Sequence, residues 1–217
     1  MNEHRTARRT EAFPGVILAG GMSSRMGANK ALVRLGGLPL VEHAARRLRP
    51  QVSALAISAN DPLPALPGFA CPVFPDLEGV RSGPLGGILA ALANARLHQP
   101  SASHVATVPT DSPFFPADLV DRLAAAVDRA DRIVVACSSS GLHPVFGLWP
   151  LALADDLSEW LRSGQSLRLR AWLDRHGAAQ VRFGDVETAR GPLDPFFNIN
   201  TPDDLATAEN WLRTLEP

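Results

Sequence analysis

The sequence has little cysteine and little net charge, and it lacks a long apolar run. Its two cysteines, Cys71 and Cys137, lie far apart with no CxxC or Cys/His spacing. This pattern argues against a disulfide framework or a zinc site and favours a reducing, cytoplasmic location. A net charge of -1 gives no overall field to attract nucleic acid, and no apolar run approaches the length of a membrane span. We therefore expect neither a nucleic acid nor a membrane as a partner.

Lysine is also scarce. Of the 21 basic residues, only Lys30 is a lysine, and the others are arginines. Arginine replaces lysine easily on a solvated surface, but not where a compact point charge on a thin stem must reach a phosphate. Lys30 stands at the end of a glycine-rich segment, which directs attention to that segment.

The remaining composition is that of one ordinary globular domain. The chain has 217 residues, of which 46% are hydrophobic and 20% are charged. This length suffices for one sizeable core and is short for two. Residues 1–13 are polar and mixed in charge and lack the apolar core of a signal peptide, so we expect a flexible tail there. Residues 14–217 form the expected domain.

Apolar runs alternate with helical spacings along most of the chain, which predicts an α/β fold. Strand-like runs cover residues 15–18, 54–59, 72–74, 104–108 and 133–137. Helical patterns cover residues 39–48, 84–97 and 116–127. This alternation implies parallel strands joined by right-handed crossovers, and hence a single doubly wound, mostly parallel sheet flanked by helices.

The C-terminal third breaks the alternation. A strand is predicted at residues 144–148, and helices are predicted at 151–162 and 167–176. Residues 181–183 and 196–199 are short strands and candidates for antiparallel edges. The run Thr201-Pro202-Asp203-Asp204 predicts a helix start, because it combines a Thr cap, Pro at the first position and acid in the first turn. We expect a small antiparallel addition to the sheet in this region.

A glycine-rich segment leaves the first strand at the place where a doubly wound sheet binds its ligands. It reads Leu18-Ala19-Gly20-Gly21-Met22-Ser23-Ser24-Arg25-Met26-Gly27-Ala28-Asn29-Lys30. Glycines let backbone N–H groups approach phosphate oxygens, and Arg25 and Lys30 supply the positive charge that a triphosphate requires. The glycine spacing matches neither a P-loop nor a dinucleotide fingerprint, which argues against an NAD(P)-dependent oxidoreductase. The alternative is a plain flexible turn between strand and helix.

Polar residues follow other predicted strands. Asp111 lies just beyond the strand at 104–108, where a carboxylate can hold Mg²⁺ against a triphosphate, although a simple turn aspartate between prolines is the alternative. Asn198 and Asn200 flank an apolar residue and would face the same way, so their amide oxygens can complete a magnesium shell or bind an acceptor. Residues 83–87 open a helix with small residues, which permits either a ligand at its positive end or close packing of helix on sheet.

The glycine-rich segment resembles the LAGG-x-S-x-RMG-x-(D/N)-K pattern of Rossmann-like nucleotidyltransferases, and most of all that of the molybdenum cofactor guanylyltransferases. The resemblance extends nearly end to end through Phe74-Pro75-Asp76, Gly83-Pro84-Leu85-Gly86-Gly87, Pro109-Thr110-Asp111-Ser112-Pro113 and Phe197-Asn198-Ile199-Asn200-Thr201-Pro202. It implies a fold like that of the nucleotide-diphospho-sugar transferases. It also implies transfer of GMP from GTP to the terminal phosphate of molybdenum-loaded molybdopterin, which gives the guanine dinucleotide cofactor and pyrophosphate.

The resemblance further implies roles for individual residues. Nucleotide binding is implied for Leu18, Ala19, Gly20, Gly21, Lys30, Ser58, Asp76 and Asp111. Catalysis is implied for Lys30, Arg25 and Asp111, with Mg²⁺ as cofactor on Asp111 and Asn198. Binding of the acceptor is implied for Asn200 and His143. A structural role is the alternative for His143, and an ordinary loop acid is the alternative for Asp76. The family often has an asparagine where this chain has Ser58, and Asn60, two residues on, points to the same side of that strand.

The resemblance implies GTP and molybdopterin as ligands, and other cofactor-assembly proteins and apo-molybdoenzymes as partners. Several alternatives stay open. Cytidylyltransferases of the same family usually show LAAG where this chain has LAGG, and an extra methyl there would reshape the base pocket. Sugar-phosphate nucleotidyltransferases also carry LAGG but are usually longer. A nucleotide-binding regulator is the non-enzymatic alternative, although loss of Asp111 or Lys30 would be expected of it and both are present.

Overall fold

The structure, a computed structural model, describes residues 13–20, 29–63, 71–77 and 83–215. The strands of these segments are β1 (Gly15–Leu18), β2 (Arg34–Leu35), β3 (Leu38–Pro39), β4 (Leu55–Ser58), β5 (Val73–Phe74), β6 (His104–Pro109), β7 (Val134–Cys137), β8 (Leu142–Pro150), β9 (Ala179–Arg182), β10 (Val186–Thr188) and β11 (Gly191–Leu193). The α-helices are α1 (Leu40–Leu48), α2 (Gly83–His98), α3 (Leu119–Ala125), α4 (Ala154–Arg162), α5 (Leu169–His176) and α6 (Pro202–Leu215).

A seven-stranded sheet in the order β5-β4-β1-β6-β8-β7-β9 forms the centre of the structure. Every neighbouring pair in it is parallel except the two pairs made by β8, which runs against β6 and β7. The predicted doubly wound, mostly parallel sheet is therefore confirmed. The chain leaves β1 for β4 on one side and later returns to β6 on the other, so the order of strands reverses beside β1. Sheets of this kind bind ligands at such a reversal, outside the carboxyl ends of the strands.

Two layers of helices cover the two faces of the sheet. Consecutive β1 residues point to opposite faces, so Ile17 packs in one core with α1 and α3, and Val16 packs in the other with α2, α4 and α5. A third, smaller core joins α6 to the loop after β6 through Phe114, Ile199 and Ala208. Within the described residues, no helix combines the length and the apolar character that crossing a bilayer requires.

The helix start predicted at Thr201 is confirmed as a reciprocal cap on α6. Thr201 Oγ1 accepts a hydrogen bond from the Asp204 N–H (3.1 Å), and Asp204 Oδ2 accepts from the N–H groups of Thr201 (2.8 Å) and Asn200 (2.9 Å). These bonds, that from Asn200 above all, hold the pKa of the Asp204 carboxyl below its ordinary value. The cap fixes the direction in which the chain enters α6.

Some predictions about the C-terminal third were wrong. Residues 196–199 form no strand, because the Phe196 N–H donates to Asp194 Oδ1 (2.9 Å) and the Phe197 N–H donates to the Asp194 carbonyl (3.0 Å), which makes a turn. The strand predicted at 181–183 is β9, and it pairs with β7 in parallel rather than as an antiparallel edge.

Other differences concern element boundaries and short hairpins. The antiparallel addition consists of β8 within the main sheet and of the hairpin β10–β11. The helix predicted at 116–127 extends only over α3, and the hairpin β2–β3 was not predicted. Of the expected tail, residues 1–12 lie outside the described residues. Phe13 packs edge-on against His104 and accepts a hydrogen bond from the Ser53 N–H (2.9 Å).

A buried hydrogen-bond chain joins β6 to β8. Trp149 Nε1 donates to Thr107 Oγ1 (2.8 Å), and that hydroxyl donates to the Val145 carbonyl (2.6 Å). Continuing the pairing of Thr107 with Gly147 places Val145 opposite Pro109, which has no N–H to offer. The Thr107 hydroxyl thus supplies the donor that the strand backbone lacks, next to the end of β6.

We predict that Thr107→Val destabilises the protein by about 1–3 kcal/mol, since it leaves the buried Trp149 N–H without an acceptor. Chemical denaturation measures the free energy of unfolding. Thr207→Val is the matched control, because within the described part of the chain the Thr207 hydroxyl donates to the Asp203 carbonyl of its own helix, in an exposed hydrogen bond. Its effect should stay within about 0.5 kcal/mol. Equal effects of the two substitutions would contradict the prediction.

Candidate active site

Most of the polar residues singled out in the sequence lie along the carboxyl edge of the main sheet. In the order of the strands, Asp76 follows β5, Ser58 ends β4, and Asp111 follows β6. Because β8 is antiparallel to its neighbours, its first residues lie at the same edge, and they include His143. The edge therefore presents three adjoining groups of polar residues, on β5–β4–β1, on β6, and on β8–β7.

Asp76 is the centre of the group on β5–β4–β1. Ser58 Oγ donates to Asp76 Oδ1 (3.1 Å), and Asn60 Nδ2 donates to Asp76 Oδ2 (3.2 Å). The Asp76 N–H donates in return to Asn60 Oδ1 (2.9 Å). Ser58 stands where the family often has an asparagine. Asn60, two residues on, also donates to Asp76.

Glycines bring the backbone close to this carboxylate. A methyl group added at Gly20 would lie 3.8 Å from Asn60 Nδ2 and 3.9 Å from Asp76 Oδ2. One added at Gly87, in the first turns of α2, would lie 3.4 Å from the Leu18 side chain and 3.9 Å from Asp76 Oδ1. The start of the glycine-rich segment, the start of α2 and Asp76 therefore line one small region.

Lys30 begins a short 3-10 helix, Lys30–Leu32, that a local cap orients. Asn29 Oδ1 accepts a hydrogen bond from the Ala31 N–H (3.0 Å), and Ala31 is buried in the core with α1. The turn is thereby anchored on its inner side, and the Lys30 side chain is directed along the edge of the sheet.

The Lys30 ammonium joins the glycine-rich segment to β6 and to the C-terminal segment. Lys30 Nζ donates to Asp111 Oδ2 (2.7 Å) and to Asn200 Oδ1 (2.5 Å). The side chains of Lys30 and Asp111 are 15% and 22% exposed, so their ion pair is largely shielded from water. The three residues come from parts of the chain that no local sequence pattern connects.

A backbone contact places both asparagines beside Asp111. The Ile199 N–H donates to the Asp111 carbonyl (2.8 Å), and the Ile199 side chain is fully buried in the third core. Asn200, which follows Ile199, accepts a hydrogen bond from Lys30. Asn198, which precedes Ile199, accepts one through Oδ1 from the buried Ser112 hydroxyl. The two asparagines thus contact residues next to Asp111, although the segment is not a strand, and their predicted common direction stays a prediction.

The oxygens around Asp111 form a set that suits a hard divalent cation. Within the part of the chain that the structure describes, no three His, Cys, Asp or Glu side chains come together as metal ligands. Asp111 and Asn198 would supply one carboxylate and one amide oxygen. Magnesium is commonly held in this way, by one or two carboxylates and by waters and phosphate oxygens.

His143 belongs to the group on β8–β7. His143 Nε2 lies 2.7 Å from Ser138 Oγ, which donates to Asp194 Oδ2 (2.7 Å), and Ser140 Oγ donates to the same carboxylate oxygen (2.5 Å). The imidazole stacks on Phe196, with 4.5 Å between ring centroids. Burial lowers the pKa of His143, and the Asp194 charge offsets this only in part.

Two predicted site residues, Gly21 and Arg25, lie outside the described residues. Sequence reasoning assigned no role to Ser112, Ser138 or Asp194. Ser112 stands next to Asp111 in a stretch already noted, and Asp194 precedes the Phe197–Pro202 stretch by two intervening residues, Pro195 and Phe196, so the neighbouring motifs were the available signal. The assigned roles of Leu18, Ala19, Gly20, Lys30, Ser58, Asp76, Asp111, His143, Asn198 and Asn200 stay predictions.

Comparison with known proteins identifies a family. Residues 15–181 match the MobA-like NTP transferase domain. The chain is 51% identical over 204 residues to the molybdenum cofactor guanylyltransferase of Rhizobium meliloti (strain 1021), a match that covers 94% of this chain and 93% of that protein.

Solved structures share the fold at lower identity. The molybdopterin-guanine dinucleotide biosynthesis protein A from Archaeoglobus fulgidus is 21% identical, with a TM-score of 0.68 over 93% of this chain and 99% of that one. A Mycobacterium tuberculosis protein solved as a complex with manganese is 17% identical, with a TM-score of 0.64 over 92% and 98% of the two chains. The fold, the match to the domain family and the relative that is 51% identical together show that this chain belongs to the molybdenum cofactor guanylyltransferase family of nucleotidyltransferases.

Proposed function

We propose that the protein transfers GMP from GTP to the terminal phosphate of molybdenum-loaded molybdopterin, forming the molybdopterin guanine dinucleotide cofactor and pyrophosphate. The observation that carries this proposal is the cluster of Lys30, Asp111 and Asn200 at the end of β6. It lies between the Asp76 group on one side and the His143 group on the other, as a site joining a nucleotide to a second substrate requires. The similarity to the molybdenum cofactor guanylyltransferase of Rhizobium meliloti supports a guanine nucleotide and the molybdenum cofactor as these two substrates.

The Asp76 group is the proposed nucleoside subsite. β1 ends there at Leu18 and continues into Ala19 and Gly20, and Ser58 and Asp76 face the same region. A carboxylate accepts hydrogen bonds from ribose hydroxyls and from base N–H groups. Where related cytidylyltransferases have LAAG, the extra methyl falls at Gly20, within contact distance of Asn60 and Asp76. This proximity supports Leu18–Gly21 as the segment that selects the base.

Lys30 is the proposed phosphate-binding residue, with Arg25 as a second cation. An ammonium has three donors, and the described structure uses two of those of Lys30, on Asp111 and Asn200. The third can donate to a phosphate oxygen without loss of the other two contacts. Lys30 is thus held in place before the nucleotide binds, and such preorganisation lowers the cost of stabilising charge in the transition state.

Asp111 and Asn198 are the proposed ligands of Mg²⁺. Asp111 binds Lys30 through Oδ2, and its Oδ1, which lies 3.4 Å from the Ser112 hydroxyl, is the oxygen proposed for the metal. When bound, a magnesium ion neutralises charge on the phosphates and on the leaving pyrophosphate. Ser112 holds the Asn198 amide oxygen beside this carboxylate.

The acceptor phosphate needs no general base in this proposal. A phosphate monoester is largely ionised at neutral pH and is already a nucleophile. The protein therefore has to align the acceptor phosphate with the α-phosphorus and to stabilise the charge on pyrophosphate. Asn200 and His143 align the acceptor from its own side. Lys30 and Arg25 stabilise the charge on pyrophosphate. A cytoplasmic location and contacts with other cofactor-assembly proteins and apo-molybdoenzymes belong to the same proposal.

Pyrophosphate release with Mg²⁺ and molybdenum-loaded molybdopterin tests the proposed reaction. GTP, CTP, ATP and UTP are compared in turn, and we expect release with GTP alone. A preference for CTP would keep the mechanism and overturn the product. If no nucleotide gives release, the same assay with sugar phosphates separates a different acceptor from a nucleotide-binding regulator.

Lys30→Ala is expected to keep the fold and to lower kcat by roughly 10²–10³-fold, the usual effect of removing one donor to transition-state charge. Arg96→Ala is the matched control, because it also removes a cation from an ion pair, on the far part of α2 and with Asp155 as partner. Circular dichroism verifies folding of both variants. Full turnover in a folded Lys30→Ala protein would overturn the assignment of Lys30.

Asp111→Asn is expected to raise the Mg²⁺ concentration for half-maximal activity by at least about tenfold, since even residues that only support metal ligands contribute that much. The amide keeps the shape of the side chain and loses its charge. Asp118→Asn makes the same change in the same loop, at an exposed residue, and should leave the Mg²⁺ titration unchanged. Identical titrations for the two variants would exclude Asp111 as a ligand.

A further inference from the structure

The cluster at the ends of β7 and β8 joins three separate parts of the chain. Ser138 follows β7, His143 lies in β8, and Asp194 follows β11. Ser138 is 3% exposed, and its hydroxyl lies 2.7 Å from both His143 Nε2 and Asp194 Oδ2. The proposed function uses His143 of this cluster on the acceptor side and gives Ser138 and Asp194 no role.

The donors and acceptors of this cluster fix the proton on the imidazole. An ionised carboxylate only accepts hydrogen bonds, so the single hydrogen of the Ser138 hydroxyl goes to Asp194. The Ser138 oxygen must then accept from His143, which requires a hydrogen on Nε2. In a neutral imidazole with a hydrogen on Nε2, Nδ1 is an acceptor.

The protonation states that this assignment needs are favoured by the surroundings. Burial lowers the pKa of His143, and the Asp194 charge raises it only in part, so the imidazole is neutral at neutral pH. Burial on its own raises the pKa of Asp194, but hydrogen bonds from Ser140, Phe196 and Ser138 outweigh it and lower the pKa of that carboxyl. Asp194 is therefore ionised, and it accepts as required.

The charge of this cluster disfavours a phosphate. Its charged member is the Asp194 carboxylate, and the adjacent Ser139 hydroxyl donates to a second carboxylate, Asp185 (2.8 Å). The free acceptor at His143 Nδ1, which has no hydrogen-bond partner among the described residues, complements an N–H donor instead. The cation of the site, Lys30, lies at the other end of the 194–200 segment.

Building on the proposed function, we propose that Ser138 and Asp194 are positioning residues that hold His143 as the Nε2–H tautomer, so that Nδ1 accepts an N–H of the pterin ring of the acceptor while the acceptor phosphate points towards Lys30. The acceptor is thereby bound in one direction along the carboxyl edge, with its heterocycle at β8–β7 and its phosphate at β6.

Steady-state kinetics with both substrates varied tests the role of Ser138. Ser138→Ala removes the group that fixes the tautomer, so we expect the KM for molybdopterin to rise by roughly tenfold, the loss of about one hydrogen bond, with the KM for GTP unchanged. Ser139→Ala is the matched control, because among the described residues the neighbouring hydroxyl donates to Asp185, which is exposed. A structural defect would change both KM values, and that result would overturn the proposal.

Two substitutions of His143 separate its ring nitrogens. The amide oxygen of asparagine can occupy the place of Nδ1, whereas the longer glutamine side chain reaches the place of Nε2. His143→Asn should therefore keep the KM for molybdopterin within about threefold of the original, and His143→Gln should raise it by roughly tenfold. The reverse order would show that Nε2, not Nδ1, contacts the acceptor, and would overturn the proposal.

Nitrogen-15 NMR of the unaltered protein reports the tautomer without a variant. The His143 ring signals are assigned through its contacts with Phe146 and Phe196. We expect a hydrogen on Nε2 and an unprotonated Nδ1, and a hydrogen on Nδ1 would overturn the proposal. Failure of the proposed function is distinguishable, because it would abolish GTP turnover with molybdopterin in the unaltered protein, whereas failure of this inference leaves that turnover intact.

Discussion

The hydrogen bond from the Ile199 N–H to the Asp111 carbonyl is the contact on which the candidate site depends. It joins the C-terminal segment to the end of β6. The fully buried Ile199 side chain packs in the third core and holds the segment in the same place. The cap at Thr201 and Asp204 fixes the chain one step later, where α6 begins. Between these anchors, the Asn198 amide oxygen accepts a hydrogen bond from Ser112 and the Asn200 amide oxygen accepts one from Lys30. Buried apolar contacts and backbone hydrogen bonds thus position the exposed side chains of Asn198 and Asn200. These anchoring contacts use neither of the two side-chain amide groups.

Segment 194–200 makes the two ends of the carboxyl edge chemically different. It begins at Asp194, whose carboxylate binds the Ser138 and Ser140 hydroxyls, and it ends at Asn200, whose amide oxygen binds the Lys30 ammonium. A carboxylate therefore lies at one end, and the ion pair of Lys30 and Asp111 lies at the other. In the proposed reaction, an acceptor with a phosphate on one side and a heterocycle on the other would place its phosphate at Lys30, beside the α-phosphorus of the nucleotide. Fixed charges of this kind need no rearrangement during the reaction.

Local periodicity predicted the central sheet well, because its strands are short apolar runs that end in polar residues. It predicted β1 to the residue, and it placed Asp111 at the end of β6. It failed at residues 196–199, where Phe196 and Ile199 are apolar for a different reason: they anchor the chain in two separate cores, one against the sheet and one under α6. It had no means of finding Ser138 and Asp194 as partners, because 56 positions separate them in the chain and each alone is an ordinary polar loop residue.

The single lysine of the chain is explained by what surrounds it. Lys30 Nζ lies between one carboxylate oxygen and one amide oxygen, in a place where only 15% of the side chain is exposed. An ammonium directs three donors tetrahedrally from one atom, so two protein oxygens and one phosphate oxygen can share it. A guanidinium spreads five donors over a rigid plane and is bulkier, which suits a bidentate carboxylate but not three oxygens around a point. Elsewhere in the described residues, arginines bind carboxylates through two nitrogens, as Arg96 binds Asp155 and Arg132 binds Asp128. At Lys30 the geometry of the donors, and not only their charge, determines the residue.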